Sequence, residues 1–163
     1  MVEYLDIVDE EDNVVGRCTR DEAHSSGKRH RTVMFFVLSP NENIMVTKRT
    51  KNKDFFPGYR SVVMGGHVGA GDSYEEALKR EVEEEIGTFG EYQEIGRFTK
   101  DIPEETENVK LYTVKVEPEK IRLAKDEFEG GVFMSLEDIL KEVERCHDFL
   151  PETQQVLEIL RRN

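Results

Sequence analysis

The chain has 163 residues, 37% hydrophobic and 36% charged, against the roughly 25% charged that is usual for a globular domain. It is long enough for one hydrophobic core without disulfide or metal staples. Lys and Arg number 23 against 35 Asp and Glu, a formal charge of −12, which repels nucleic acid phosphates and excludes a broad DNA- or RNA-binding role. A phosphorylated small molecule would need local help, from a metal ion or a basic pocket.

Cys18 and Cys146 lie far apart, with no CxxC and no Cys-His pairing at zinc spacing, which excludes a disulfide framework and fits a reducing compartment. The opening Met1 to Asp6 is acidic and has no signal-peptide pattern. The longest apolar run, Val33 to Leu38, falls well short of the roughly 20 residues of a membrane span. These features predict a single domain over residues 1–163, soluble and cytoplasmic, with neither nucleic acid nor membrane as partner.

Taken in chain order, Tyr4 to Val8 and Asn13 to Cys18 read as short strands around a turn, followed by a polar loop from Ala23 to Arg31. Thr32 to Leu38, β-branched and aromatic, reads as a buried strand, and the Ser39-Pro40-Asn41-Glu42-Asn43 turn leads into a strand over Ile44 to Lys48. After a basic loop and a strand over Val62 to Gly66, the capping box Ser73-x-x-Glu76 opens a helix from Tyr74 to Ile86, which Gly87 stops. Strands are expected at Glu94 to Phe98, Val109 to Val116 and Val132 to Met134, then helices at Leu136 to Arg145 and Pro151 to Arg161. This order predicts an α/β fold, a mixed sheet with helices on both faces.

The central helix carries the chemistry. Tyr74, Leu78, Val82 and Ile86 form its apolar stripe. Glu81, Glu84 and Glu85 share an arc of about 100° that borders this stripe and at Glu85 enters it. Clustered carboxylates repel one another, and partial burial is costly unless they are paired or bound to metal. An oxygen-only, carboxylate-rich surface suits a hard divalent cation such as Mg²⁺, which also bridges phosphate oxygens.

Gly66, Asp72, Arg80, Glu81, Val82, Glu84, Glu85 and Gly87 resemble the Nudix box, G-x5-E-x7-R-E-U-x-E-E-x-G-U, with Asp72 in place of a glutamate and Thr88 in place of an apolar residue. Composition gives a chance match of about 10⁻⁶ per window. The resemblance implies a Nudix-type α/β/α sandwich and a hydrolase in which water attacks a diphosphate. Glu81, Glu84 and Glu85 would hold Mg²⁺, or Mn²⁺ in its place, and one of them would help to activate water. The Gly65 carbonyl would be a further ligand and Arg80 would brace the carboxylates. A further acidic ligand is expected from the segment before a late strand, with Glu127 the candidate and Glu129 and Glu107 the alternatives.

Beyond the box, the segments Asp6 to Gly16, Arg20 to Arg31, Lys48 to Gly58 and Phe149 to Pro151 resemble the isopentenyl-diphosphate-isomerase-like branch. Arg49 and Lys53 match positions that contact diphosphate in the isomerases. His24, His30 and His67 fall near the histidines through which isomerases bind a metal. The isomerases' catalytic cysteine is absent, since Gly65 stands in its place. The reading adopted for His67 is substrate contact rather than a second metal site, and the roles of His24 and His30 stay open. A small-molecule diphosphate is the expected partner, with a homodimer allowed. The alternatives are a non-catalytic Nudix module that binds a nucleotide or a partner, and an isomerase.

Overall fold

The computed structural model describes residues 1–103 and 105–163. Its elements are β1 (Tyr4–Val8), β2 (Val14–Thr19), α1 (Arg20–Ser25), β3 (His30–Leu38), β4 (Ile44–Arg49), β5 (Arg60–Ser61), β6 (Met64–His67), α2 (Tyr74–Ile86), β7 (Glu91–Ile102), β8 (Glu105–Lys115), β9 (Phe128–Met134), α3 (Leu136–Arg145) and α4 (Thr153–Arg161). Strands β1 and β2 form a separate hairpin, and the main sheet runs β5-β4-β3-β8-β7, with β6 paired to β3 and β9 to β4. Strands β3 and β8 are parallel, in register from His30↔Glu107 to Leu38↔Lys115. The other pairs are antiparallel. β3 and β4 meet at Leu38↔Ile44 and then diverge, and β5 and β6 run into the gap.

β3 is apolar almost throughout because both its faces are covered. Val33, Phe35 and Val37 pack on Leu78, Val82 and Ile86 of α2. Met34, Phe36 and Leu38 face Ile139 of α3 and Val156 and Leu157 of α4. The expected α/β/α sandwich is therefore what the chain builds. Each fully buried side chain of the α2 stripe contributes about 1.5–3 kcal/mol, which fixes the rotation of the helix and hence the direction of its carboxylates.

The β1–β2 hairpin props the glycine loop that precedes α2. Ala70 N–H donates to Tyr4 O at 2.9 Å, and Gly71 N–H donates to the Asp6 carboxylate at 2.9 Å. At the hairpin tip Asp12 adopts a left-handed φ of 67°. Its carboxylate accepts from Arg31 Nε, Tyr74 OH and Asn108 Nδ2, each at 3.0 Å. The tip is thus tied to β3, α2 and β8 together.

The elements differ from the sequence expectation in several places: the Val62 to Gly66 strand is divided into β5 and β6, β9 begins at Phe128 and α4 begins at Thr153. His24 and His30 do not share a polar loop: His24 lies on α1, and His30 is the fully buried first residue of β3. The helix α1 is too short to show a periodicity and is held by its cap, Glu22 N–H donating to Thr19 Oγ1 at 3.2 Å. β7 and β8 extend well beyond the apolar segments expected, because their ends pair as backbone ladders between polar residues, such as Lys100↔Glu107 and Asp101↔Thr106. Among the described residues no helix is long and apolar enough to cross a membrane.

Candidate active site

The two ends of α2 are held by local chemistry. Ser73 Oγ accepts from Glu76 N–H at 3.1 Å and Ser73 N–H donates back to the Glu76 carboxylate at 2.9 Å, while Gly87 takes φ 71° at the C-terminal end. Between them Glu85 is 9% exposed, Glu81 is half-buried and Glu84 is exposed. Arg80 Nη1 pairs with Asp72 Oδ2 at 2.9 Å, Nη2 donates to His67 O at 3.2 Å and Nε lies 3.9 Å from Glu81 Oε1. Arg80 thus ties the helix to the glycine loop as well as flanking the carboxylates.

Glycine is required beneath Glu81. A Cβ on Gly66 would come within 2.3 Å of the Glu81 carboxyl carbon, and one on Gly65 within 2.2 Å of Val33 O. The Gly65 carbonyl belongs to the peptide that joins it to Gly66, beside the Glu81 carboxylate. From the other side, Arg122 N–H donates to Ile86 O at 2.7 Å and Ala124 N–H to Glu85 O at 2.9 Å. This docks the 122–124 segment on the end of α2 and delivers Glu127 to the same centre, where its side chain pairs with Lys53. Of the two alternatives to Glu127, Glu129 lies 3.6 Å from Lys48 and Glu107 sits with the histidines.

The electrostatics follow from this crowding. Burial, then the charge of Glu84, pushes Glu81 up to about 7. Burial, then the charges of Glu127 and Glu81, pushes Glu85 up to about 8, with Lys53 opposing. Glu85 Oε2 is buried without a hydrogen-bond partner. A hard divalent cation fits these residues: it would satisfy the orphaned oxygen and relieve the repulsion.

A family model for the NUDIX domain matches residues 28–152. The chain belongs to the Nudix hydrolase family. The Nudix hydrolase SCO1686 of Streptomyces coelicolor is 47% identical over 88 residues, covering 54% of this chain and 49% of that relative, so the chain spans about half its length. A Nudix hydrolase of Yersinia pestis is 34% identical over 100% of this chain and 88% of its own length. The DR0079 structure from Deinococcus radiodurans shares the fold at TM-score 0.80, with 24% identity and 98% of each chain covered. The NUDIX domain of Shewanella oneidensis NrtR, a cocrystal structure with ADP ribose, aligns at TM-score 0.61, with 14% identity over 81% of this chain and 86% of that one.

This Nudix chain also gathers its histidines. The rings of His24, His30 and His67 lie 5.0 to 5.4 Å apart, and one nitrogen of each falls within 4.8 Å of the others. Glu107 Oε2 sits 3.2 Å from His30 Nε2 and 3.5 Å from His67 Nε2, and accepts from Thr32 Oγ1 at 2.7 Å. Burial opposes ionisation of Glu107, but the bonds from His30, His67 and Thr32 prevail and hold it well below the usual carboxylate range. For His30, burial disfavours the charged ring, yet Glu107 and the Lys28 carbonyl outweigh it and raise its affinity for a proton.

The three imidazoles form a donor set that suits borderline divalent metals, with Glu107 against two of them. The isomerase resemblance groups the three histidines, but not Glu107 with them, because that depends on the parallel register that sets His30 beside Glu107. Cys18 packs with Leu5 and Ala23, and Cys146 Sγ lies 3.7 Å from Glu142.

Arg49 ends β4 and braces the loop that follows. Its backbone N–H donates to Tyr59 O at 2.8 Å and its Nη2 to Phe55 O at 3.0 Å. Just past Glu127, an open recess of about 500 Å³ is lined by Met45, Ile121, Leu123, Phe128 and Phe133 among others.

Proposed function

We propose that this Nudix hydrolase uses Mg²⁺, or Mn²⁺ in its place, to cleave the diphosphate linkage of a nucleoside diphosphate derivative or another small organic diphosphate. The observation that carries the reading is Glu85, buried with one oxygen unpartnered among the raised carboxyls of the Nudix helix. Glu81, Glu84, Glu85 and Glu127, with the Gly65 carbonyl, would hold the cation. Once bound, it would neutralise charge developing on the phosphoryl oxygens. One glutamate of the helix takes the proton of the attacking water, and Arg80 holds the helix against the loop while it does so. Lys53 and Arg49 bind the diphosphate oxygens, and His67 borders the same ligand. The apolar recess beyond Glu127 suits the organic part of the substrate, and the ADP ribose held by the NrtR domain supports that substrate class.

The histidine cluster favours a second reading, an isomerase whose cation sits on His24, His30, His67 and Glu107. Against it, position 65 is glycine and neither cysteine stands at the isomerases' position in the sequence. The two are separated by phosphate release from a panel of nucleoside diphosphate derivatives and isoprenoid diphosphates, with a coupled phosphatase and with Mg²⁺ present or chelated. Metal-dependent release that Glu84→Gln abolishes supports the hydrolase. Conversion of isopentenyl diphosphate to its allylic isomer without release would replace it, and tight ligand binding without turnover would make the chain a binding module.

A further inference from the structure

We infer that Thr50 binds the substrate: its hydroxyl and Arg49 Nε receive phosphoryl oxygens of the diphosphate. The inference rests on the diphosphate reading above. Arg49 Nε and Thr50 Oγ1 are both buried without a hydrogen-bond partner. Unsatisfied buried polar atoms are rare and costly, and two on consecutive residues call for a ligand. Both residues sit at the cation site. Thr50 N–H donates to Glu127 O at 3.2 Å, the Lys53 side chain pairs with the Glu127 carboxylate, and Glu127 and Lys53 both act on Glu85, the third residue here with an orphaned atom.

Chain direction sets the side of the sheet on which Arg49 lies. Met45 and Thr47 of β4 line the side of the sheet that packs under Leu123 and Gly131, and Arg49 continues that alternation to the strand's end, where the pairing with β9 is irregular. Thr50 then turns the chain, its carbonyl accepting from the N–H groups of Lys53 and Gly58, each at 3.4 Å. The 50–58 segment is held down by Arg49 Nη2 on Phe55 O and by Lys53 on Glu127. A diphosphate competes for both cations, so its arrival loosens the cover over the two unpaired atoms and supplies the acceptors they lack. Serine would keep this function at position 50, and valine would keep the shape and lose it.

The test is calorimetric binding of imidodiphosphate, a diphosphate that resists hydrolysis, to the full chain with Mg²⁺, together with thermal melts. Thr50→Val should bind about tenfold more weakly, while Thr50→Ser should stay close to wild type. Thr50→Val should also melt no lower than wild type, because it removes an unsatisfied hydroxyl; a hydroxyl serving only the fold would give the reverse. With a turned-over substrate the loss should fall on KM and leave kcat unchanged. Wild-type affinity in Thr50→Val overturns the Thr50 assignment alone. A wild-type protein that binds no imidodiphosphate overturns the diphosphate reading and this inference with it.

Discussion

A carboxyl that is hidden from water beside other carboxylates holds its proton more tightly, and Glu85 does so at about 8 and Glu81 at about 7, against an ordinary 4.5. In the unfolded chain both lose their protons near the ordinary value, so between about 4.5 and 8 the folded state binds more protons than the unfolded one. Stability must then fall as pH rises through that window. The cation-free protein should therefore melt lower at pH 9 than at pH 6, and Glu85→Gln should flatten the difference. Urea titrations of chelated protein at the two pH values check this, and a rise in stability toward pH 9 would contradict it.

Gly66 makes the complementary prediction. Its missing Cβ is where the Glu81 carboxyl carbon lies, 2.3 Å away, so Gly66→Ala should displace the carboxylate. Metal-dependent turnover should drop by about 100-fold, the scale of an ångström's misplacement, with circular dichroism unchanged.

At the scale of the element, α2 was legible because its signals are local. The capping box, the apolar stripe and Gly87 all lie within the helix and its caps, and the structure gives Tyr74–Ile86 as the spacing predicts. Ser73→Ala should lower stability by about 1 kcal/mol, measured by denaturant unfolding, while turnover at 25 °C persists because the apolar stripe still holds the helix. What lies across the site from α2 is set at long range. Glu127 reaches Glu85 through the docking of Arg122 and Ala124 on the helix end, and His30 reaches Glu107 through a parallel strand pairing. Neither register leaves a pattern in the residues concerned, so Glu127 stands beside two alternatives, and Glu107 is not joined to the three histidines that the isomerase resemblance groups.

For the whole molecule, a charge of −12 and the proposed phosphorylated ligand are reconciled where the cations collect. Lys53 pairs with Glu127 and acts on Glu85 of the acidic helix, with Arg49 on the same loop, while α3 and α4 pack on the other face of β3. The chain thus carries two neighbouring donor sets of different chemistry, oxygen on α2 and mostly nitrogen around Glu107. Arg80 ties them mechanically through His67 O. Binding to the folded state alone should raise the melting temperature as Mg²⁺ is added, by RT ln(1 + [L]/Kd) in free energy, and Glu85→Gln should blunt the rise.

The most direct test of the central claim is calorimetric titration of Mn²⁺ into wild type, Glu84→Gln, Glu85→Gln and His30→Gln near pH 6.5, in buffers of different ionisation enthalpy. Wild type should bind with release of protons, since the carboxyls that take up the cation begin protonated. Both glutamate variants should lose most of that affinity, and His30→Gln should retain it. Affinity that survives both glutamate substitutions and vanishes in His30→Gln would place the cation among the imidazoles and contradict the account.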